Sequence, residues 1–225
     1  MEFALLHSPF LAPSSSVPLA RALEARGEFA RVVSASEAFD DHQTSYGGVA
    51  DVIARQLREP CVLVAHSGAG ALVPSIVTAA QDRVRHAIFV DATLPHDGLS
   101  WFDTVPEPLA KRMRELARDG RAPRWSDWFS DRTLGRLLPN ETERRRLVSG
   151  MPRIPLAFLQ RPAPTVADWL ASECCRYLQL SDGYAVEAER SRALGWRGHR
   201  LPGDHLWTMT HPQEVAAALI DLVSA

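Results

Sequence analysis

A run of five apolar residues, 61–65, stands directly before a stretch rich in glycine and alanine. A continuous apolar run of this length is typical of a strand that is buried on both faces of a parallel sheet. The stretch after it predicts a helix from Gly68 to about Ala80, which Pro74 should kink because proline removes a backbone hydrogen bond. Residues 87–90 form a second apolar run. Together these segments predict a strand, a helix and a parallel strand.

The same alternation continues on both sides of this unit. Upstream, the patterns predict strands at 3–7 and 29–34 and helices at 19–26 and about 49–57. Downstream, they predict strands at 177–180 and near 196–201, and helices at about 185–194 and 212–223. Strands that alternate with helices favour a doubly wound, mostly parallel α/β sheet with right-handed crossovers.

The region 95–174 breaks this rhythm into helical and irregular pieces with many prolines. We expect it to be a mainly helical lid inserted into a core made of residues 1–94 and 175–225. It is rich in large aromatic residues: Trp101, Phe102, Trp125, Trp128, Phe129, Phe158 and Trp169. These either line an apolar substrate pocket beneath the lid or form the lid's own core.

Composition argues against several classes of protein. The net charge is −2 and basic residues are spread along the chain, so the sequence lacks the electrostatic footprint of a nucleic-acid-binding protein. No basic, apolar leader and no apolar stretch of about 18 residues is present, so we expect a cytoplasmic protein without a membrane partner. The cysteines Cys61, Cys174 and Cys175 match no zinc spacing and are interpreted as reduced, with no metal or cofactor.

The turn after the strand at 61–65 contains Ser67, with the small residues Ala65 and Ala69 two positions away on either side. Small neighbours are needed where a sharp strand-to-helix turn projects a hydroxyl above the sheet. A buried serine in a nucleotide-binding turn is the alternative, but no complete phosphate-binding glycine signature is present. The motif resembles the nucleophile elbow of the α/β-hydrolase superfamily. The resemblance implies that Ser67 is the nucleophile and that the Gly68 N–H is an oxyanion donor.

The resemblance also implies a general base on the loop after the last core strand. His205 lies in that loop, before Pro212 at the start of the final helix. In this role it takes the serine proton and returns it to the leaving group. The alternatives are a histidine with only a surface role, or His211, which falls where a helix N-cap is expected.

Two carboxylates compete for the third position of a catalytic triad. Asp91 ends the strand at 87–90 and should emerge beside Ser67, as in some short relatives whose strand ends in Val-Asp-Ala. Asp182 ends the strand at 177–180, nearer the commoner acid position of the superfamily. We favour Asp91, although either residue could instead cap a loop or form a turn.

The segment from His7 to Phe10 resembles the His-Gly-x segment that supplies the second oxyanion donor in the superfamily. It departs from that pattern at Pro9, which has no amide hydrogen. If Pro9 falls at the donor position, the Phe10 N–H or the Ser8 hydroxyl must substitute. We interpret His7 as a structural residue that orients this loop.

The resemblance covers nearly the whole chain and is to compact bacterial hydrolases near the methylesterase and hydroxynitrile lyase group, without the first strands of the full sheet. It implies a cofactor-free serine hydrolase that cleaves a small apolar or aromatic ester or thioester through an acyl-Ser67 intermediate. Two alternatives remain: the same serine and histidine could serve lyase, elimination or cyclisation chemistry, or the chain could be a silent ligand-binding protein. The oligomeric state stays open.

Overall fold

Residues 2–224, which the computed structural model describes, contain one sheet of six strands. The strands are β1 (Glu2–Leu6), β2 (Phe29–Val33), β3 (Cys61–His66), β4 (Val84–Val90), β5 (Cys175–Gln179) and β6 (Arg197–Arg200). They lie in the order β2-β1-β3-β4-β5-β6, and every neighbouring pair is parallel. The α/β fold with a mostly parallel sheet is therefore confirmed.

Helices connect the strands. Those outside the region 95–174 are α1 (Val17–Glu24), α2 (Tyr46–Gln56), α3 (Val73–Ala80), α9 (Ala185–Ala193), α10 (Trp207–Thr210) and α11 (Pro212–Ser224). Between β4 and β5 lie α4 (Trp101–Thr104), α5 (Glu107–Glu115), α6 (Asp131–Leu137), α7 (Glu141–Gly150) and α8 (Leu156–Gln160). No helix in the described residues is both long enough and apolar enough to cross a membrane.

Helices cover both faces of the sheet, which explains why β3 is apolar throughout. Successive side chains of a strand point to opposite faces. Val62 and Val64 therefore pack in the cluster that includes α1 and α11, whereas Leu63 and Ala65 pack in the cluster that includes α2 and α3. Burial of such side chains on both faces, at roughly 1.5–3 kcal/mol for each large aliphatic group, stabilises the strand without strict alternation.

The predicted kink at Pro74 is wrong. The segment after β3 is a 3-10 helix, Ser67–Leu72, followed by α3, and Pro74 lies in the first turn of α3. Proline is tolerated there because the first N–H groups of a helix have no partner within it. The 3-10 segment packs closely on the loop after β4, since a Cβ atom on Gly70 would lie 2.0 Å from the Thr93 carbonyl oxygen.

The helical insertion, residues 95–174, packs directly on the core. Its buried residues Met113 and Ile154 belong to the same apolar cluster as Leu63 and Phe89 of the sheet. Arg121 adds a polar connection, because its Nη1 donates to the Phe39 carbonyl oxygen at 2.9 Å.

Strand order reverses between β1 and β3, because the chain passes from β1 outward to β2 and returns to β3 on the other side of β1. In open α/β sheets, ligands bind at the carboxyl ends of the strands beside such a reversal. The loop after β1, which starts at His7, and the turn after β3, which starts at Ser67, form the two sides of this crevice.

Candidate active site

Ser67 lies at the sharp turn between β3 and the 3-10 segment. Its φ angle is 60°, in the left-handed region that a residue with a side chain rarely adopts. Such strain persists only where the surrounding structure holds it, and it is concentrated at functional sites. The adjacent Gly68 lies in the first helical turn, where N–H groups have no partner within the helix. A hydroxyl and an N–H donor are therefore presented side by side.

His205 lies in the turn between β6 and α10, and its Nε2 atom is 3.0 Å from Ser67 Oγ. Several hydrogen bonds hold this turn. Among them, the Gly203 N–H donates to the Leu180 carbonyl oxygen at 3.0 Å, and the Leu206 N–H donates to Asp204 Oδ1 at 2.9 Å. A Cβ atom on Gly203 would lie 2.1 Å from the Trp207 ring, so glycine is needed there. The Asp204 side chain thus has a local role in the loop.

Asp91 is fully buried and accepts a hydrogen bond from His205 Nδ1 at 2.9 Å. Its Oδ1 accepts from the N–H groups of Leu180 and Ser181 at 2.8 and 2.9 Å. Its Oδ2 also accepts from the Ser181 hydroxyl at 2.6 Å. Burial acts to raise the pKa of Asp91, but the hydrogen bonds from His205 and Ser181 outweigh it and hold the pKa below its ordinary value. The carboxylate is therefore charged at neutral pH.

Ser67, His205 and Asp91 thus form one hydrogen-bonded array, and Asp182, the other candidate acid, lies outside it. Its side chain is 88% exposed and forms a surface ion pair with Arg200 at 2.7 Å. Of the two carboxylates that the sequence left in competition, the structure brings only Asp91 to His205.

Two rings stack on the His205 imidazole. The Tyr184 ring is parallel to it within 6°, with the ring centroids 5.0 Å apart, and the His66 ring stacks at 4.7 Å. His66 Nε2 also donates to the His205 carbonyl oxygen at 2.9 Å. Burial, reinforced by the nearby His205, lowers the pKa of His66 to about 3, so His66 stays neutral. The stacked rings leave the His205 side chain little freedom to rotate.

Sequence reasoning missed His66, Ser181 and Tyr184 as members of the site. His66 had a usable signal, since it directly precedes Ser67. Ser181 and Tyr184 are in the loop after β5, which drew attention only to Asp182. The side chains beside Asp182, rather than Asp182 itself, reach the array.

His7, in the loop after β1, is hydrogen-bonded at both ring nitrogens. Its Nδ1 donates to the Ser8 carbonyl oxygen at 2.8 Å, and its Nε2 is hydrogen-bonded to Ser34 Oγ at 2.9 Å. Burial lowers the pKa of His7, so the ring is neutral at pH 7. The Phe10 N–H makes a long contact of 3.4 Å with Ser8 Oγ. Phe10 lies beside the elbow, because a Cβ atom on Gly68 would be 3.5 Å from its ring.

A cleft of about 340 Å³ opens onto Ser67 and His205. Its apolar lining comes mostly from the helical insertion: Phe10, Trp101, Val105, Leu109, Trp125, Trp128, Phe129 and Leu137. Six of the seven large aromatic residues of the insertion divide into two groups, and the seventh, Phe102, is buried against Trp101. Four of them line the cleft, whereas Trp169 packs on Phe89 and Trp196, and Phe158 packs on Phe39 and Tyr46.

Within residues 2–224, no group of three or more histidine, cysteine, aspartate or glutamate side chains is arranged to hold an ion. Cys61, Cys174 and Cys175 are free thiols, and burial raises the pKa of Cys61 and of Cys175 to about 12. These two thiols are therefore protonated and unreactive at neutral pH.

Comparisons with known proteins agree with this architecture. A model of the alpha/beta hydrolase family matches residues 5–218. No curated protein sequence matches the chain significantly. Among solved structures, an extracellular alpha/beta-hydrolase from a Paenibacillus species superposes with a TM-score of 0.79. That protein is described as sharing structural and functional homology with tobacco salicylic acid binding protein 2. It is 18% identical, and the match covers 99% of this chain and 98% of that chain.

Two other structures have similar coverage. A pyrethroid hydrolase from Sphingobium faniae JZ-2 has a TM-score of 0.69 and 17% identity, over 100% of this chain and 98% of that chain. Tomato methylketone synthase I in complex with 2-tridecanone has a TM-score of 0.72 and 11% identity, and the match covers 99% of this chain and 97% of that chain. At these identities the likeness shows a shared fold and nothing about the substrate.

Proposed function

Because the chain is an enzyme of the alpha/beta hydrolase family, we propose that it is a serine hydrolase that cleaves a carboxylic ester or thioester through an acyl-Ser67 intermediate. One observation carries the proposal: the hydrogen-bond chain from Asp91 through His205 to Ser67, with distances of 2.9 and 3.0 Å. This is the arrangement in which a base activates a serine and a carboxylate orients the base.

In the proposed mechanism, His205 Nε2 takes the proton of Ser67 Oγ as that oxygen attacks the substrate carbonyl carbon. The imidazolium that forms is stabilised by the buried Asp91 carboxylate. His205 then gives the proton to the leaving group, and the acyl group stays on Ser67. Water attacks the acyl-enzyme with His205 again as the base, and the acid product leaves.

The oxyanion of the tetrahedral intermediate needs preorganised donors. The Gly68 N–H is the first, because it lies in the opening turn after Ser67. We assign the second to the Phe10 N–H, since Pro9 has none. Its contact with Ser8 Oγ, at 3.4 Å, is long enough that a charged substrate oxygen is the stronger acceptor.

The cleft supports a small apolar or aromatic substrate. Its volume of about 340 Å³ is at the lower end of the range for small-molecule sites, and its walls are mostly aromatic and aliphatic. We propose that the helical insertion, residues 95–174, serves as a lid over the core formed by 1–94 and 175–225 and supplies this lining.

A non-hydrolytic reaction is the second candidate, favoured by the loop after β1. If the Phe10 N–H stays engaged with Ser8, only the Gly68 N–H serves the oxyanion, which disfavours a tetrahedral intermediate. Ser67 and His205 would then act as an acid–base pair for elimination or cyclisation. Product formation in H₂¹⁸O separates the two, because hydrolysis places one ¹⁸O atom in the carboxylate product and elimination places none.

Steady-state kinetics with p-nitrophenyl butyrate test the hydrolase proposal. We expect Ser67→Ala and His205→Ala each to lower kcat by several orders of magnitude. The double variant should fall no further, because the two residues act as one unit. Normal turnover by Ser67→Ala would contradict the proposal.

A further inference from the structure

Tyr184 holds a hydroxyl at the reacting oxygen. Its Oη atom lies 3.3 Å from Ser67 Oγ, and its ring lines the cleft. The direction of this hydrogen bond follows from the array. In the base form of His205 that the proposed mechanism requires, Nδ1 donates its proton to Asp91, and Nε2 accepts the single Ser67 proton. Ser67 Oγ can then only accept from Tyr184, and Tyr184 is the donor.

The hydroxyl of Tyr184 is protonated at neutral pH. Burial raises the pKa of Tyr184 to about 12, whereas its hydrogen bond to Ser67 acts in the opposite direction. The residue therefore offers an O–H donor and transfers no proton at neutral pH.

Tyr184 lies on the same side of Ser67 as His205. Its ring is stacked on His205, the residue that must reach the leaving group to protonate it. The proposed oxyanion donors belong to different elements, Gly68 after β3 and Phe10 after β1. When Ser67 Oγ is bonded to the substrate carbon in the tetrahedral intermediate, it is a poorer acceptor for the Tyr184 hydroxyl. That hydroxyl can then donate to the leaving-group oxygen instead.

We propose, on the basis of the proposed hydrolase function, that Tyr184 donates a hydrogen bond to the leaving-group oxygen and so makes the enzyme selective for oxygen esters over thioesters. The proton itself comes from His205, and Tyr184 stabilises the negative charge that grows on the oxygen as the carbon–oxygen bond breaks.

Selectivity follows from the acceptor strength of the leaving atom. Oxygen accepts strong hydrogen bonds, whereas a thioether-like sulfur is a weak acceptor. A thiolate also leaves more easily, because a thiol has a pKa of about 8.5, well below that of an ordinary alcohol. The Tyr184 hydroxyl therefore assists the cleavage of an alkyl ester and adds little to the cleavage of a thioester with the same acyl group.

The test compares wild type and Tyr184→Phe on three butyrates: benzyl butyrate, S-benzyl thiobutyrate and p-nitrophenyl butyrate. The Phe variant keeps the ring that stacks on His205 and removes only the hydroxyl. The readout is kcat/KM, which reports acylation and leaves out hydrolysis of the common butyryl-enzyme. Tyr46→Phe is the matched control, since Tyr46 is a buried tyrosine that stacks on Phe158 outside the cleft lining.

We expect Tyr184→Phe to lose about 10- to 100-fold in kcat/KM on the benzyl ester, the range for a hydrogen bond to a charged group. The thioester and the p-nitrophenyl ester, whose leaving groups need little help, should change little. Tyr46→Phe should match wild type on all three. Tyr184→Leu, which also removes the stacked ring, should lose activity on every substrate because His205 is less well held.

Two results would overturn the assignment. An equal loss on all three esters in Tyr184→Phe would mean that the hydroxyl only positions Ser67 or His205, and no loss on the benzyl ester would mean that it has no role. A wild-type enzyme that is acylated by none of the three esters would instead overturn the hydrolase proposal itself, and this inference with it.

Discussion

Ser181 Oγ lies 2.6 Å from Asp91 Oδ2, the same carboxylate oxygen that accepts from His205 Nδ1. The serine comes from the loop after β5 and the aspartate from the end of β4, so the two strands meet at this bond. The Ser181 N–H donates to the other carboxylate oxygen. Ser181 therefore holds the buried acid from a position directly beside Asp182, the other candidate acid that the sequence offered.

Replacement of Asp91 tests the assignment of the acid. We expect Asp91→Asn to lower kcat by about 10⁴-fold, as occurs in a serine protease triad whose carboxylate becomes an amide and favours the wrong histidine tautomer. Asp182→Asn is the matched control and should leave kcat unchanged, since Asp182 forms only an exposed ion pair. Both values come from p-nitrophenyl butyrate kinetics. A large loss in Asp182→Asn with activity kept in Asp91→Asn would reverse the assignment.

The lowered pKa of Asp91 predicts a pH dependence of stability. A carboxyl whose pKa is lower in the folded state stabilises the fold at pH values above its unfolded-state pKa, which is about 3.9. This contribution to the free energy of unfolding is lost as the pH falls through the folded-state pKa. The difference in unfolding free energy between wild type and Asp91→Asn should therefore shrink as pH falls below about 3.9. Urea denaturation of both proteins at pH 7 and across the acid range measures it. A difference that is constant with pH would mean that the pKa is not lowered.

Ser181→Ala should weaken the support of the acid without removing it. We expect a loss of about 1–3 kcal/mol in the unfolding free energy, because a short hydrogen bond to a buried charge is removed. The kcat value should fall less than in Asp91→Asn, since the backbone donors remain. Thermal unfolding and butyrate kinetics on the same preparation check both points. Wild-type stability in this variant would show that the hydroxyl contributes nothing.

Local sequence patterns predict part of this site, and the rest depends on contacts between segments that are far apart in the chain. Ser67 and His205 could be predicted because a strand-to-helix turn and a loop before a final helix are local features. The choice between Asp91 and Asp182 depends on the pairing of β4 with β5, in which Val90 lies opposite Leu178. These strands are far apart in the chain, so no local pattern specifies their register. Tyr184 joins the site through the same long-range contact.

Two strands are longer in the structure than the sequence predicts. β3 extends through His66 and β4 begins at Val84, beyond the apolar runs that identified them. The added residues are polar or border turns, and backbone pairing rather than side-chain character places them in the sheet. The family match was within reach of the sequence because the elbow and the late histidine are both local.

Gly203→Ala should displace the histidine loop. A Cβ atom there would overlap the Trp207 ring, so we expect a loss of about 1–3 kcal/mol in stability and a strong loss of kcat as His205 shifts. Gly47→Ala is the control: Gly47 lies within α2, where a Cβ atom meets nothing closer than 3.8 Å and alanine is the better helix former. The melting temperature and kcat of the two variants check these expectations. Full activity in Gly203→Ala would show that the loop adapts without moving His205.

Trp128 should determine how large an acyl group the cleft accepts. Trp128→Ala removes a ring that packs edge-on to Phe10 in the lining, and we expect the kcat/KM preference to shift toward longer p-nitrophenyl esters. Trp169→Ala removes a tryptophan of the same insertion that packs on Phe89 and Trp196 outside the lining. It should lower stability and keep the preference. The same shift in both variants would mean that the cleft wall does not select the substrate.

Labelling with a fluorophosphonate followed by intact mass spectrometry tests the central claim, that the array activates Ser67. Wild type should gain the mass of one adduct, and Ser67→Ala should gain none under the same conditions. Asp91→Asn should be labelled much more slowly than wild type, whereas Asp182→Asn should be labelled at the wild-type rate. An unlabelled wild type, or an adduct of equal yield in Ser67→Ala, would contradict the account.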